Sequence, residues 1–319
     1  LDTLSVVVPV YNEEEVLPQF YERLKSALTT VPCAAEIVFV DDGSGDRTPL
    51  LLAAMAREDP RVRVLTFTRN FGHQAALCAG LDHCTGDATM MIDADLQDPP
   101  ELVREFYAKW KEGYDVVFGR RQRLREGVAK RVIYHLFYRL LRFLANIDIP
   151  LDTGDFSLVD RRVVLALRDL PERTRFLRGL RSWVGRRQLG IEYVRQVREA
   201  GESKYSLAKL FKLAFDGIFS FSTAPLKLAL VLGLMVSAVG FVVIGLLVYL
   251  RLVRSFDLPG WTSLMVVVLF LGGIQLTTVG IVGEYVARIY EEVKRRPIYL
   301  LARGSDVRGQ ENGDAGLVA

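Results

Sequence analysis

Two long stretches without a charged residue constrain this chain more than any other feature: residues 228–250 are 23 uncharged positions in a row, and residues 258–283 are 26. At 1.5 Å per residue, about 20 apolar residues in a helix cross the hydrocarbon core of a bilayer, so each stretch is long enough to do so. The chain is therefore expected to carry two membrane spans behind a water-soluble front part. A mean hydropathy of +0.19, high for a soluble enzyme, agrees with that division.

Charge is divided in the same way. Residues 1–116 hold 10 Lys and Arg against 20 Asp and Glu, whereas residues 117–319 hold 31 against 18. An acidic front with a basic sector behind it suits a site for a metal and a phosphorylated ligand close to anionic headgroups. Two spans argue against nucleic acid as the partner of the basic sector. Lys294, Arg295 and Arg296 follow the second stretch, and by the positive-inside bias the front domain and the tail are expected in the cytosol. Cys33, Cys78 and Cys84 fit no metal-ligand spacing and read as reduced thiols.

The front part repeats a short β-branched run, a polar turn and a helical stretch. Strands are expected at 4–8, 36–41, 63–68, 88–92 and 115–119, and helices near 14–28, 48–57, 74–83 and 101–112. Runs such as Ser5-Val6-Val7-Val8 and Ile37-Val38-Phe39-Val40 suit strands buried on both faces, hence an α/β fold with a mostly parallel sheet. Residues 205–221 place Lys209, Lys212 and Asp216 on one helical face and Phe211, Phe215 and Ile218 on the other, the pattern of a helix lying in the membrane interface.

Sheets of this kind bind ligands at the carboxyl ends of their strands, so the residues there carry the functional argument. Asp93-Ala94-Asp95 follows the run Thr89-Met90-Met91-Ile92, and paired carboxylates at a strand end suit a sparse Mg²⁺ or Mn²⁺ site completed by diphosphate oxygens. The alternative is a solvated turn with a helix cap at Asp98. Asp41-Asp42-Gly43-Ser44 offers a carboxylate for a ribose hydroxyl or base N–H, or else an ordinary capped turn. Pro9-Val10-Tyr11-Asn12-Glu13 ends the first strand. Three polar strand ends in one sheet converge on a nucleotide-diphosphate site. His73 reads as a packing or helix-entry residue.

These segments, with Arg69-Asn70-Phe71-Gly72 and Gly201-Glu202-Ser203-Lys204-Tyr205, stand in an order that resembles family 2 glycosyltransferases, and within them the GtrB-like and dolichol-phosphate-mannose-synthase-like polyprenyl-phosphate hexosyltransferases. The resemblance implies a GT-A (Rossmann-like) domain, a nucleotide-sugar donor, a divalent metal, a polyprenyl phosphate acceptor and inversion at the anomeric carbon. It implies nucleoside contacts from Pro9, Tyr11, Glu13, Val40 and Asp42, with Asp93 and Ala94 nearby, and metal ligation by Asp95 and Gln97. Arg120 or Arg121, with Arg131, is implied for the acceptor phosphate, and Arg198, Ser203 and Lys204 for a loop over phosphates. Asp155, in Thr153-Gly154-Asp155-Phe156, matches an acidic position opposite the donor, as catalytic base or acceptor-orienting carboxylate; its other reading is a turn acid before a strand.

The expected layout is a catalytic domain over 1–204, an interfacial helix over 205–225, spans over 226–250 and 261–283 joined by a non-cytosolic link over 251–260, and a juxtamembrane segment with a disordered tail over 284–319. Glucose from UDP-glucose to undecaprenyl phosphate is the expected transfer, and Gln275, Thr277 and Thr278 give the second span polar positions for a neighbouring helix, of the same chain or of another subunit in a homo-oligomer. GDP-mannose or a modified UDP-sugar is the competing donor. A processive synthase would show Gln-x-x-Arg-Trp and more spans, and a silent nucleotide-sugar sensor would lack a metal ligand.

Overall fold

A computed structural model of the chain describes residues 2–121, 153–170, 172, 175–194, 224–254 and 260–305. The strands are β1 (Thr3–Val10), β2 (Ala34–Asp41), β3 (Val62–Thr66), β4 (Ala88–Met91), β5 (Val116–Arg121), β6 (Thr153–Asp160) and β7 (Gln188–Tyr193). The helices are α1 (Leu17–Leu28), α2 (Thr48–Glu58), α3 (His73–His83), α4 (Val103–Lys111), α5 (Arg161–Asp169), α6 (Leu177–Trp183), α7 (Ala224–Arg254) and α8 (Trp261–Val293). Two compact units result, the first holding the sheet and α1 to α6, the second holding α7 and α8.

The seven strands run in the order β3-β2-β1-β4-β6-β5-β7. β1 pairs in parallel with both β2 and β4, and β2 with β3. The chain thus winds one way from β1 to β3 and then crosses back to place β4 on the other side of β1. That reversal opens a crevice beyond the carboxyl ends of β1 and β4, where α/β sheets bind ligands. β6 enters antiparallel between β4 and β5, so the strand expected at 115–119 does not adjoin β4.

Alternation along the strands builds the layers. Leu4, Val6, Val8 and Val10 of β1 share one core with Phe20 and Leu24 of α1 and Phe106 of α4, all essentially buried. Removing each such side chain from water contributes roughly 1.5–3 kcal/mol. Val7 faces the opposite layer, against α3, where a Cβ on Gly80 would overlap its side chain. Small residues, Ala75, Ala76, Ala79 and Gly80, let α3 lie this close to the sheet and carry its first turn into the crevice.

Three expectations for the C-terminal part change. α7 runs on to Arg254, so most of the link expected at 251–260 that is described is helix, and α8 continues ten residues past 283 to Val293. In that extension Glu284 pairs with Arg288 at 3.1 Å, and i,i+4 pairs of this kind support a helix leaving an apolar setting. Thr277 donates its hydroxyl to Gly273 O of its own helix at 2.9 Å. The segment after α8, expected as a juxtamembrane tail, is bound to the sheet of the first unit. Thr68 N donates to Leu300 O at 3.0 Å and Ala302 N to Thr66 O at 2.8 Å, an antiparallel extension of the β3 edge. The rest of that tail, 306–319, and the interfacial segment 205–223 lie outside the described residues.

Candidate active site

The loops after β1 and β2 are tied to each other. Asn12, with φ 52°, donates its N–H to Ser44 Oγ at 3.0 Å and accepts from Gly45 N at 2.9 Å. Glu13 N donates to Thr48 Oγ1, and Arg47 N to Glu14 Oε2. Gly43 makes the turn at φ 71°, pressed so near the next loop that a Cβ would lie 2.6 Å from Arg69 C. No other residue fits both that conformation and that space. Asp42, buried at the end of β2, then holds this third loop by accepting from Phe71 N at 2.6 Å and Gly72 N at 2.9 Å. Burial pushes its carboxyl up, opposed by those two N–H groups.

Beyond β4, Asp93, Ala94 and Asp95 face the same space, and Leu96 turns the chain at φ 57°. Asp95 Oδ1 accepts from Gln97 N at 3.1 Å. The buried Asp98 anchors the loop from beneath: Tyr193 of β7 donates its hydroxyl to Asp98, and Arg121 lies 3.7 Å from it while donating to the Tyr193 oxygen at 3.2 Å. Asp98 is therefore an internal acceptor and not the helix cap of the alternative reading. Gly154 leaves room for that guanidinium, since a Cβ there would stand 2.7 Å from Arg121 Nη2.

On β6, Phe156 and Leu158 enter the α1 and α4 core, which turns Asp155 to the α3 and α6 side. Gln74 Nε2 donates to Asp155 Oδ2 at 3.0 Å, while Gln74 Oε1 accepts from Leu177 N at 3.1 Å. Arg178 of α6 lies 3.6 Å from Asp155, and His73, the first residue of α3, lies 3.6 Å from Asp155 and 3.5 Å from Asp93. Burial works against the charge on Asp155, but His73, Arg178 and Arg181 outweigh it and hold the carboxyl far below the usual range. Burial likewise opposes charge on His73, yet its pairing with Asp155 and the negative charge of Asp93 raise it to about 9. Arg181, 2% exposed beneath the pair, is lowered to about 10 by burial.

These walls enclose an open cleft of about 470 Å³, floored by strand ends and rimmed by Tyr11, Asp42, His73 and Asp95. Residues 5–167 match the family described as glycosyl transferase family 2. The chain is 47% identical over 307 residues to the YkcC protein of Bacillus subtilis (strain 168), described as an uncharacterised glycosyltransferase, covering 96% of this chain and 95% of that one. The chain belongs to glycosyl transferase family 2. It is also 44% identical over 301 residues to a Shigella phage SfII protein named bactoprenol glucosyl transferase, covering 94% and 97% of the two chains. The structure of glucosyl-3-phosphoglycerate synthase from Mycobacterium tuberculosis with Mn²⁺ and UDP aligns over 68% of this chain and 78% of its own, at 20% identity and a TM-score of 0.47.

Of the site residues expected in this family 2 glycosyltransferase, Pro9, Tyr11, Glu13, Asp42, Asp93, Ala94 and Asp95 line the one cleft. Val40 does not: it is fully buried in β2, its backbone paired with β1 and β3. Gln97 is not on the wall, and its described contact is the N–H given to Asp95. Asp155 is a residue of β6, not a turn acid, and stands behind His73. The two arginines separate: Arg120 turns to Glu192 on β7 at 3.9 Å, while Arg121 turns to Asp98. Arg131, Arg198, Ser203 and Lys204 lie outside the described residues. His73 and Gln74 were not expected in the site; the signal for them is their place after Asn70-Phe71-Gly72, at the mouth of a helix entering the crevice.

Among the described residues no three His, Cys, Asp or Glu side chains form a metal cage. A sparse site, with most ligands from substrate and water, is what Mg²⁺ adopts beside diphosphates. The acids present fit such a cation. Burial raises Asp93 to about 6, and Asp155, Asp98 and Asp95 add to this against the pull of His73.

Proposed function

We propose that the chain transfers a hexose, glucose from UDP-glucose, to a polyprenyl phosphate such as undecaprenyl phosphate at the cytosolic face of a membrane. The observation that carries this reading is the near full-length identity, sheet and helix pair together, to a protein named bactoprenol glucosyl transferase. Two features of this chain support it independently. The cleft at the β1 and β4 strand ends offers Tyr11 as a flat surface for a base and carboxylates that would hold the divalent cation of a nucleoside diphosphate. α7 and α8 hold segments long and apolar enough to cross a membrane, with mean hydropathy 2.4 over Pro225–Val243 and 1.2 over Phe270–Val293.

Tyr11, Pro9 and Glu13 would flank the nucleoside, and Asp93 with Asp95 would face the diphosphate. A divalent cation, Mg²⁺ or Mn²⁺, held by Asp95 with Gln97 within reach along the loop, would supply charge to the diphosphate as it departs. The acceptor phosphate oxygen attacks the anomeric carbon as the carbon–oxygen bond to the diphosphate breaks, so the sugar inverts and the nucleoside diphosphate leaves with the electron pair. A phosphate monoester has a second pKa near 6 and is largely dianionic at neutral pH, so it needs no strong base to become a nucleophile. That agrees with Asp155, whose lowered carboxyl is a poor proton acceptor. Arg121, with Arg131, Arg198 and Lys204 from the remaining segments, would neutralise acceptor and diphosphate, and Ser203 would donate a hydrogen bond there.

The test incubates purified, detergent-solubilised protein with undecaprenyl phosphate, Mg²⁺ or Mn²⁺, and a panel of UDP- and GDP-sugars, following glycolipid by mass spectrometry. A single glucosyl lipid from UDP-glucose is expected. A mannosyl lipid from GDP-mannose would replace the donor assignment, and no product with any donor would overturn the reading. Asp95→Asn is expected to lower transfer at least about a hundredfold, the scale of a lost electrostatic group at the reacting centre, with an unchanged melting temperature. Full activity in that variant would remove Asp95 from the metal site.

A further inference from the structure

Among the described residues lining the cleft, four carry acids, Glu13, Asp42, Asp93 and Asp95, and one is basic: His73. A pocket for a diphosphate and a second phosphate needs cations on its wall, and among the described lining residues His73 is the one that can supply it. We propose that His73 is a catalytic residue that donates a hydrogen bond to a phosphate oxygen in the cleft, and that Asp155 is its positioning residue instead of a base. The proposal rests on the glycosyl transfer proposed above and assigns a role within it.

Three observations carry it. The first is access: the His73 side chain is 44% exposed, while that of Asp155 is 10% exposed. Asp155 Oδ2 is taken by Gln74, and its Oδ1 is enclosed without a hydrogen-bond partner among the described residues. A carboxylate so confined does not reach a substrate, whereas the imidazole between it and the cleft does. The second is orientation. Asp93 from the β4 loop and Asp155 from β6 stand 3.5 and 3.6 Å from the ring, and a histidine between carboxylates is held in place and kept charged. Asp42 adds a more distant negative charge from the β2 side, and Arg178 of α6 opposes from behind Asp155. The third is the support behind Asp155. Gln74 donates to the carboxylate and accepts from Leu177 N, so α3, β6 and the start of α6 are joined through one side-chain amide.

The phosphate belongs either to the donor diphosphate or to the lipid acceptor, and the experiment separates the two. Transfer kinetics with UDP-glucose and undecaprenyl phosphate, and UDP binding by calorimetry in Mg²⁺, are compared for wild type, H73Q, H73K, D155N and H73Q/D155N. Losing one charge-assisted hydrogen bond predicts a fall in kcat/KM of roughly ten- to hundredfold for H73Q, largely restored in H73K. D155N is expected to lower activity, and the double variant to be no worse than H73Q, because a residue acting through another adds nothing once that other is gone. Weaker UDP binding in H73Q assigns the contact to the donor; unchanged UDP binding with a raised KM for undecaprenyl phosphate assigns it to the acceptor. H73Q within twofold of wild type, H73K no better than H73Q, or a D155N loss that multiplies the H73Q loss would each overturn the proposal. Should H73Q not fold, D155N in the H73K background decides: a small cost supports the positioning role, and the full wild-type cost makes Asp155 an independent base. Wild-type protein that transfers no sugar removes the functional reading and this inference together.

Discussion

Asp59 shows what a single carboxylate contributes outside the cleft. Arg61 donates to it through Nε and Nη2, the latter at 2.7 Å, and Tyr21 donates its hydroxyl at 2.9 Å from inside the α1 core. The Arg61 hydrogen bond, against the cost of burial, lowers Asp59 to about 2. A folded value below the unfolded one gives stability that is complete above about pH 4 and is lost as pH falls towards 2. Discounted for the partial exposure of Arg61, the pair is worth about 1–2 kcal/mol at neutral pH. Asp59→Asn is therefore expected to lower the melting temperature by a few degrees at pH 7 and to approach wild type only as pH falls to about 2 and below. A constant difference across that range would assign the loss to packing. The same scale shows what a sequence reveals of a site. Asp93 and Asp95 were legible because they sit at the end of a buried run, where the sheet itself marks the position. His73 was not, since its partners lie 20 and 82 residues further along and only the fold brings them to one imidazole. Val40 differs the other way: Asp42, two residues on, lines the cleft, while Val40 is closed inside the strand.

Among elements, β1 to β4 and α1 to α4 could be read from periodicity, since continuous apolar runs and amphipathic turns alternate there without interruption. β6 could not, because its polar residues Asp155 and Ser157 face a buried polar network and break the apolar run that marks a central strand. α5 carried a signal that went unread: Asp160 caps it by accepting from Arg162 N at 2.9 Å, ahead of the amphipathic run Val163, Val164 and Leu167. The strand after α8 had no such signal, being short and held mainly by what it meets. Tyr299 stacks on Phe67 with ring centroids 5.2 Å apart and donates to Asp82 at 3.0 Å, beside the bridge from Phe67 to Leu301 that covers the end of β3. An uncovered edge is an invitation to aggregate, so this strand also protects the sheet. Tyr299→Ala removes the stack and the hydrogen bond, worth together roughly 1.5–3 kcal/mol. Hydrogen exchange at the Thr68 and Ala302 amides is expected to quicken about ten- to hundredfold, with β1 amides unchanged. Equal protection at Thr68 in both proteins would show that the backbone pairing holds the strand without its tyrosine.

At the scale of the whole molecule, the first unit is discontinuous: α7 and α8 are inserted between the catalytic sheet and the strand that completes it. A chain cut before residue 224 therefore loses more than two apolar helices. It also loses Tyr299 and the pairing of Leu300 and Ala302, and it leaves Phe67, now 3% exposed, open at a bare sheet edge. Replacing residues 224–293 by a flexible Gly and Ser linker removes the same apolar helices but keeps the strand. Both shortened proteins retain the cleft, whose described lining comes wholly from residues 9–95, and both are expected to bind UDP in Mg²⁺ within a few-fold of the full chain. They should differ in stability. The simple truncation is expected to melt several degrees lower and to aggregate sooner than the linked form, by the few kcal/mol that the strand contributes. On the proposed acceptor, both should lose any preference for long-chain over short-chain polyprenyl phosphates, because the two helices long and apolar enough to cross a membrane are gone. If the truncation were as stable as the linked form, the strand would be an attachment of the helix pair and not a part of the sheet; if long-chain preference survived in both, the lipid would be recognised by the first unit alone.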